Sequence, residues 1–377
     1  MKTIQNSLLT FLEKEENVQD NYLIFDQLLD HQNIRDNQHE LKSVLYILSK
    51  ISENHHRSPS FFKKIDHILH IFKNEIKKYF SDYEIFNIFR NNKEILLFLL
   101  EEKTMTMNKY IVDTMSSDDQ FKTAKYLHYF YPEVRPFINS NLANTILREL
   151  PENYENQRKI EYDDKNICTL IQKDLVNEFI EYVNKTNLPL SSTIEKSLFE
   201  TNSFLFDKNP TLIEYSAFYG SFQIFNYLYN NHVELTPSLW LYSIHGRNIN
   251  IIHLLEQCQI KPENNSYENC LNESIKCHHN QIATYIIEEY FLKEKKKNLN
   301  AFDSGLQFYN FAFIEKEKIT KSLFLDLCQY DYYPLVQILM KTTNFDINSR
   351  TISFFFDFLI QFLFNYFNGI SIHLFFE

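Results

Sequence analysis

The stretch Thr211–Asn231, TLIEYSAFYGSFQIFNYLYNN, is echoed shortly afterwards by Ser238–Cys258, SLWLYSIHGRNINIIHLLEQC. Aligned on their core positions, Ser216, Ala217, Ile224, Phe225, Tyr227 and Leu228 fall on Ser243, Ile244, Ile251, Ile252, Leu254 and Leu255, at one constant offset. A third copy, NCLNESIKCHHNQIATYII (Asn269–Ile287), puts Ser274, Ile275, Ile282, Ala283, Tyr285 and Ile286 in those places, at a slightly longer offset. Each copy reads as a first helix with a small or apolar pair, a turn, and a second helix with apolar residues at i, i+1, i+3 and i+4. Neither helix can bury its apolar face alone, so neighbouring copies must stack.

Weaker copies flank this core at Cys168–Ile180 (CTLIQKDLVNEFI), Leu327–Met340 (LCQYDYYPLVQILM) and Asn87–Leu100 (NIFRNNKEILLFLL). Upstream, Leu41, Val44, Leu45, Leu48 and Ile51, then Phe61, Ile65, Ile68, Leu69 and Phe72, recur at helical spacing. Polar or proline-bearing breaks fall at Ser52–Ser60, Tyr131–Pro136 and Glu149–Lys159, the last of which serves best as a boundary. The chain therefore divides into a helical region over 1–150 with degenerate repeats, a repeat array over 160–350, and a hydrophobic tail over 351–377. The fold class expected is all-α, an elongated α-solenoid of helix-turn-helix repeats.

Four glycines, Gly220, Gly246, Gly305 and Gly369, are too dispersed for a phosphate-cradling loop and too few for many tight hairpins. A formal charge of −11 repels nucleic acid. The one basic run, Lys293–Lys297, reads as a solvated loop between helices. Five cysteines, odd in number and never spaced CxxC, sit in a chain with no signal-peptide pattern, which implies a reducing, intracellular setting.

Thirteen histidines invite a metal. Cys270, Cys277, His278 and His279 lie close in sequence, but structural zinc sites pair ligands two to four apart and no second pair follows. These therefore read as loop histidines and a partly buried cysteine. His55–Arg57 (HHR) and His67–His70 (HILH) lack the glutamate of a zinc-hydrolase motif and read as helix surface. Ser216, Ser243 and Ser274 take the small core position and pack helices rather than attack substrates. The paired carboxylates Asp118–Asp119 and Asp163–Asp164 fall in solvated loops, where acid–base chemistry is not favoured. No catalytic residue, metal ligand or cofactor is expected.

The spacing resembles the ankyrin repeat, whose signature runs Thr-Pro-Leu-His-x-Ala-Ala-x-x-Gly before the second helix. Thr211 takes the Thr place, Ser216-Ala217 the Ala-Ala place and Gly220 the Gly place; Ile224 opens the second helix. In the next unit Ser238, Ser243-Ile244 and Arg247 hold those positions with Gly246 displaced by one, and in the third His278 replaces the glycine. Leu212 and Glu214 stand where Pro and the capping His would be. The chain looks like the divergent ankyrin-like family abundant in some protists, over roughly residues 20–350 and most specifically Leu212–Ile287. That resemblance implies an intracellular protein that binds another protein.

It also places the binding positions, just after the small pair of each unit and facing the concave groove: Phe218, Tyr219, His245, Lys276, Gln329 and Tyr330. Aromatic anchors give large contact area at low entropy cost, so Phe218, Tyr219 and Tyr330 rank first, and packing against the neighbouring unit is their alternative role. The function expected is a non-enzymatic, cytoplasmic interaction scaffold whose partner is another protein and not nucleic acid. The alternative is a membrane-tethered adaptor. Its anchor would be the apolar run Phe354–Phe376, long enough to span a bilayer but interrupted by Asp357, Gln361, Asn365, Asn368 and His373.

Overall fold

The computed structural model describes residues 1–14, 34–58, 60–158, 166–293 and 300–315, with seven further positions between 323 and 336. The apolar tail, Gln329, Cys328, Asp163–Asp164, most of the basic run and most of the last weak repeat lie outside the described residues. Among the described residues every named element is helical, and the one β-type feature is an isolated bridge between Thr193 and Thr211. None of these helices is long and apolar enough to cross a membrane.

The first part of the chain folds as α1 (Lys2–Glu13), α2 (Gln38–Asn54), α3 (Phe61–Ile71), α4 (Lys73–Tyr79), α5 (Asp82–Phe89), α6 (Lys93–Glu101), α7 (Lys109–Ser117), short helical turns, and α8 (Ser140–Glu149). Local chemistry fixes the starts. Asn37, Asn92, Asn108 and Asn139 each accept backbone N–H groups at a helix N-terminus, and Ser81 with Glu84 forms a capping box. The predicted apolar stripe of α2 is fully buried at Leu41, Val44, Leu45, Leu48 and Ile51. With α1 packed on α2 and α3, these residues belong to a first hydrophobic core.

The second part is a series of helix pairs. α9 (Asn166–Gln172) pairs with α10 (Val176–Thr186), α11 (Leu212–Tyr219) with α12 (Phe222–Asn230), α13 (Leu239–Gly246) with α14 (Ile249–Gln257), and α15 (Glu268–Lys276) with α16 (Asn280–Ile286), before α17 (Ala301–Gln307). First helices stack on first helices in the order α9, α11, α13, α15, α17, and second helices α10, α12 and α14 follow suit. Ser216, Ser243 and Ser274 are fully buried in this stack, as a small residue between helix axes must be. Glu214 forms a capping box with Thr211 and accepts from Ser238 Oγ of the next unit at 2.5 Å, so the helix start is capped without the signature Pro and His.

The turns show why glycine is dispensable here. Asp174, Gly220, Arg247 and His278 at the turns of the four pairs, and Tyr309 just past α17, all carry positive φ near 50–70°. At four of them the following N–H reaches back to the first helix: Leu175 to Leu170, Ser221 to Ser216, His279 to Ser274 and Asn310 to Gly305. This six-to-one closure satisfies carbonyls that a helix end would otherwise leave bare. The non-glycine residues accept a small left-handed penalty in return for it.

The end of the array turns back onto the start of the chain. Phe302, Leu306, Tyr309 and Phe311 belong to the same core as Ile4, Leu8 and Leu12 of α1, while residues 167–291 form a second core.

Candidate functional site at the seam between the two cores

Of the positions expected to face a partner, Phe218 and His245 are buried against the chain itself, and Tyr219, Lys276 and Tyr330 are partly covered. Phe218 is 6% exposed, its ring stacked 5.7 Å from Phe204 and lying 5.1 Å from His245. His245 is 2% exposed, with Phe204 4.2 Å away. Tyr219 packs 4.9 Å from Tyr215, and burial pushes its hydroxyl well above the ordinary tyrosine range. Phe204 belongs to the connection between α10 and α11, a stretch longer than any other between helix pairs, which lies across the ends of α11 and α13. Lys276, half-buried, donates to Glu273 Oε1 at 3.1 Å. Tyr330 offers its carbonyl to the Tyr309 hydroxyl and packs, partly buried, against the first core. Phe218, Tyr219 and His245 thus come together in one niche, Lys276 shares the Glu273 oxygen with His245 beside it, and Tyr330 lies apart.

The other wall of that niche is His55, His56 and Arg57, just past α2. His55 is buried, which corrects its reading as helix surface; His70, at the end of α3, is exposed as expected. His55 Nδ1–H donates to the Cys277 carbonyl at 2.8 Å, and Nε2 meets Glu13 Oε1 at 3.0 Å. Both ring nitrogens of His55 thus face an acceptor oxygen. Glu13 also takes both arms of Arg247, at 2.7 and 3.0 Å. Burial alone would raise the Glu13 pKa, but the bonds from His55 and Arg247 outweigh it and hold it down at about 2.

A second polar network locks α1 to the array. Gln5, fully buried, donates Nε2–H to Asn310 Oδ1 at 2.8 Å and to His278 Nδ1 at 3.1 Å, and its Oε1 accepts from the Phe311 N–H at 2.6 Å. His278 Nε2–H donates in turn to the Phe308 carbonyl at 3.0 Å, which fixes a neutral ring, and burial lowers its pKa to about 3. His278 and His279, read from sequence as loop groups, are interior, and Cys277, read as partly buried, is wholly so.

One cluster in this seam carries chemistry. His245 Nε2–H donates to Glu273 Oε1 at 2.7 Å, and Cys277 Sγ lies 3.6 Å from His245 Nδ1 and 3.8 Å from Nε2. Glu273 and Cys277 are one helical turn apart at the end of α15, and His245 projects from α13 alongside it. Burial would raise the Glu273 pKa, yet the bonds from His245 and Lys276 hold it at about 2; burial raises the Cys277 thiol well above its usual value and lowers His245.

Residue types alone would suit a Cys–His–Glu nucleophile. The geometry does not. Sulfur sits nearly equidistant from both ring nitrogens, off the line along which a base nitrogen accepts a thiol proton, and the thiol is buried in its neutral form. What the three groups do share is the ability to face one cation. Sequence reading missed the cluster because its ligands come from consecutive repeats; the usable signal was that His245 and Lys276-Cys277 hold the same place in adjacent units.

Beside the seam lies a half-open cavity of about 600 Å³ between α1 and the array. Asn6 and Leu9 line it from α1, and Ile249, Gln281 and Tyr285 from the other side. His279 lines it, buried, with neither ring nitrogen hydrogen-bonded to any of the described residues. Ile249 stands 42% exposed at the rim. Comparison of the chain with protein-family models, with curated proteins and with solved structures gives no match.

Proposed function

We propose that the protein is a non-enzymatic interaction scaffold, an ankyrin-like array of helix pairs that binds a segment of another protein in the cavity between α1 and the second helices α14 and α16. The observation that carries this reading is the cavity itself. It joins an exposed apolar rim at Ile249 to a buried imidazole, His279, that makes no hydrogen bond among the described residues. Such a mixture of apolar wall and a few polar groups is the usual make-up of a recognition pocket. A side chain of the partner that reaches in would satisfy His279, and its neighbours would cover Ile249. The first-helix ends, with Phe218 and His245, contribute by holding the array and the amino-terminal helices together.

The test is proximity labelling in the native cell with the wild-type chain and the double variant Ile249→Arg, Gln281→Arg. Both positions are solvent-facing, so the variant should melt as the wild type does and lose its labelled partner. A variant that melts normally and labels the same partner as strongly would overturn the cavity as the binding face.

A further inference from the structure

We infer that His245, Glu273 and Cys277 form a structural zinc site. Three ligand types that zinc accepts, imidazole nitrogen, carboxylate oxygen and thiolate sulfur, place one donor atom each within 4.8 Å of one another in the interior. Tetrahedral zinc, with bonds of about 2.0 Å to nitrogen and oxygen and about 2.3 Å to sulfur, needs roughly 3.5 Å between nitrogen and sulfur and roughly 3.3 Å between nitrogen and oxygen. His245 Nε2 already stands 3.8 Å from sulfur, and its 2.7 Å approach to Glu273 has only to open by about 0.6 Å. That opening, with a turn of the His245 ring and of the Cys277 side chain to aim both donors at one point, replaces a hydrogen bond with three metal bonds.

Charge favours the same ion. A thiolate, a carboxylate and a neutral imidazole balance a divalent cation, and binding releases one proton, from Cys277, to solvent. Lys276, which bonds Glu273 at 3.1 Å, has a side chain 23% exposed and can turn outward as the cation enters. The fourth position falls to water. Near the cluster, within electrostatic reach of Cys277 and Lys276, Glu53 holds a buried carboxylate oxygen that accepts no hydrogen bond among the described residues and has the Lys50 ammonium 3.9 Å away. An oxygen so placed suits the outer partner that orients a bound water. With Glu53 on α2 and the three ligands on α13 and α15, the site ties the amino-terminal helices to two repeats.

The full chain, freed of metal by dialysis against chelator, is titrated with cobalt(II) as a spectroscopic stand-in and then with zinc. The expected result is one equivalent of cobalt, a thiolate-to-cobalt band in the near ultraviolet, and displacement by zinc with a rise in melting temperature. Cys277→Ser removes the band. Cys270→Ser, at a buried cysteine two turns earlier on the same helix, leaves it. Glu273→Gln keeps the band and weakens uptake by more than the 10- to 100-fold that loss of an outer partner costs. Absence of stoichiometric uptake by the folded wild-type chain overturns the site, as does a band that survives Cys277→Ser. Should Cys277→Ser not fold, a Glu273→Gln chain that takes up cobalt as tightly as the wild type is the overturning result.

Discussion

Phe218 packs against Phe204 and His245, which also touch each other, so Phe218→Ala empties an interior site. The expected cost is about 3–5 kcal/mol of stability, measured by denaturant titration. Unchanged stability with lost partner capture would instead make Phe218 a surface anchor. Two charged residues make pH predictions of opposite range. Glu13 is held near 2, below its unfolded value of 4.5, so its contribution is present above 4.5 and is lost as pH falls towards 2. Glu13→Gln should flatten acid denaturation in that window and cost about 1–2 kcal/mol at neutral pH, a figure reduced for partial exposure. Lys93 is fully buried, donates to the Leu198 and Glu200 carbonyls, and lies over the Phe206 ring. Burial pushes its pKa down to about 7, only partly opposed by Glu200. Between 7 and 10.5 the unfolded chain holds a proton that the folded chain does not, so stability should climb with pH by roughly 1.4 kcal/mol per unit. Lys93→Met should abolish that climb; an equally steep one in the variant would refute the assignment.

At the scale of the helix pair, close approach and left-handed turns divide the work. An added Cβ at Gly246 would stand 1.9 Å from the Ala217 carbonyl oxygen, and one at Gly220 would stand 2.4 Å from the Gly246 oxygen. The two glycines are what let α11 and α13 touch, so Gly246→Ala should destabilise by well over the about 1 kcal/mol that a helix would gain from alanine. Gln259, exposed and at φ 55°, is the converse case. Gln259→Gly relieves a left-handed penalty and should raise the melting temperature, by up to about 1–2 kcal/mol in free energy. The helix pairs were legible because Ser216, Ser243 and Ser274 repeat with their apolar companions. Gly305, which follows Ser274 at the interval that separates Ser274 from Ser243, extends the series. The turns were legible in part: Arg247 and His278 align with Gly220, and the backbone there is left-handed as for Gly220. What could not be read was coverage. Helical spacing tells which side of α11 or α13 is apolar. Phe204 reaches Phe218 from an irregular connection, however, and His55 from the far amino-terminal helices, and no local pattern records that meeting.

For the whole molecule the decisive contact is between its start and its array. Gln5 is the only residue of α1 among those described whose side chain meets His278, Asn310 and the Phe311 backbone together. Gln5→Leu takes the partner from the buried His278 Nδ1 and Phe311 N–H, while Asn310 Oδ1 keeps the Ala312 N–H, at about 1–3 kcal/mol for each donor or acceptor orphaned. Hydrogen exchange should then quicken in 2–13, 277–281 and 308–311 while 212–230 stays protected, since helix pairs hold their own neighbours. Uniform quickening would mean that the two cores unfold as one. The covered first-helix ends have a kinetic meaning as well. His55–Arg57 and Phe204 are competitors that can never diffuse away, present at an effective concentration on the order of millimolar or above. A free protein seeking Phe218 and His245 must outbid that tethered occupant, so a sub-micromolar intrinsic site would be read in solution as a feeble one, whereas the cavity beside Ile249 has no such rival among the described residues.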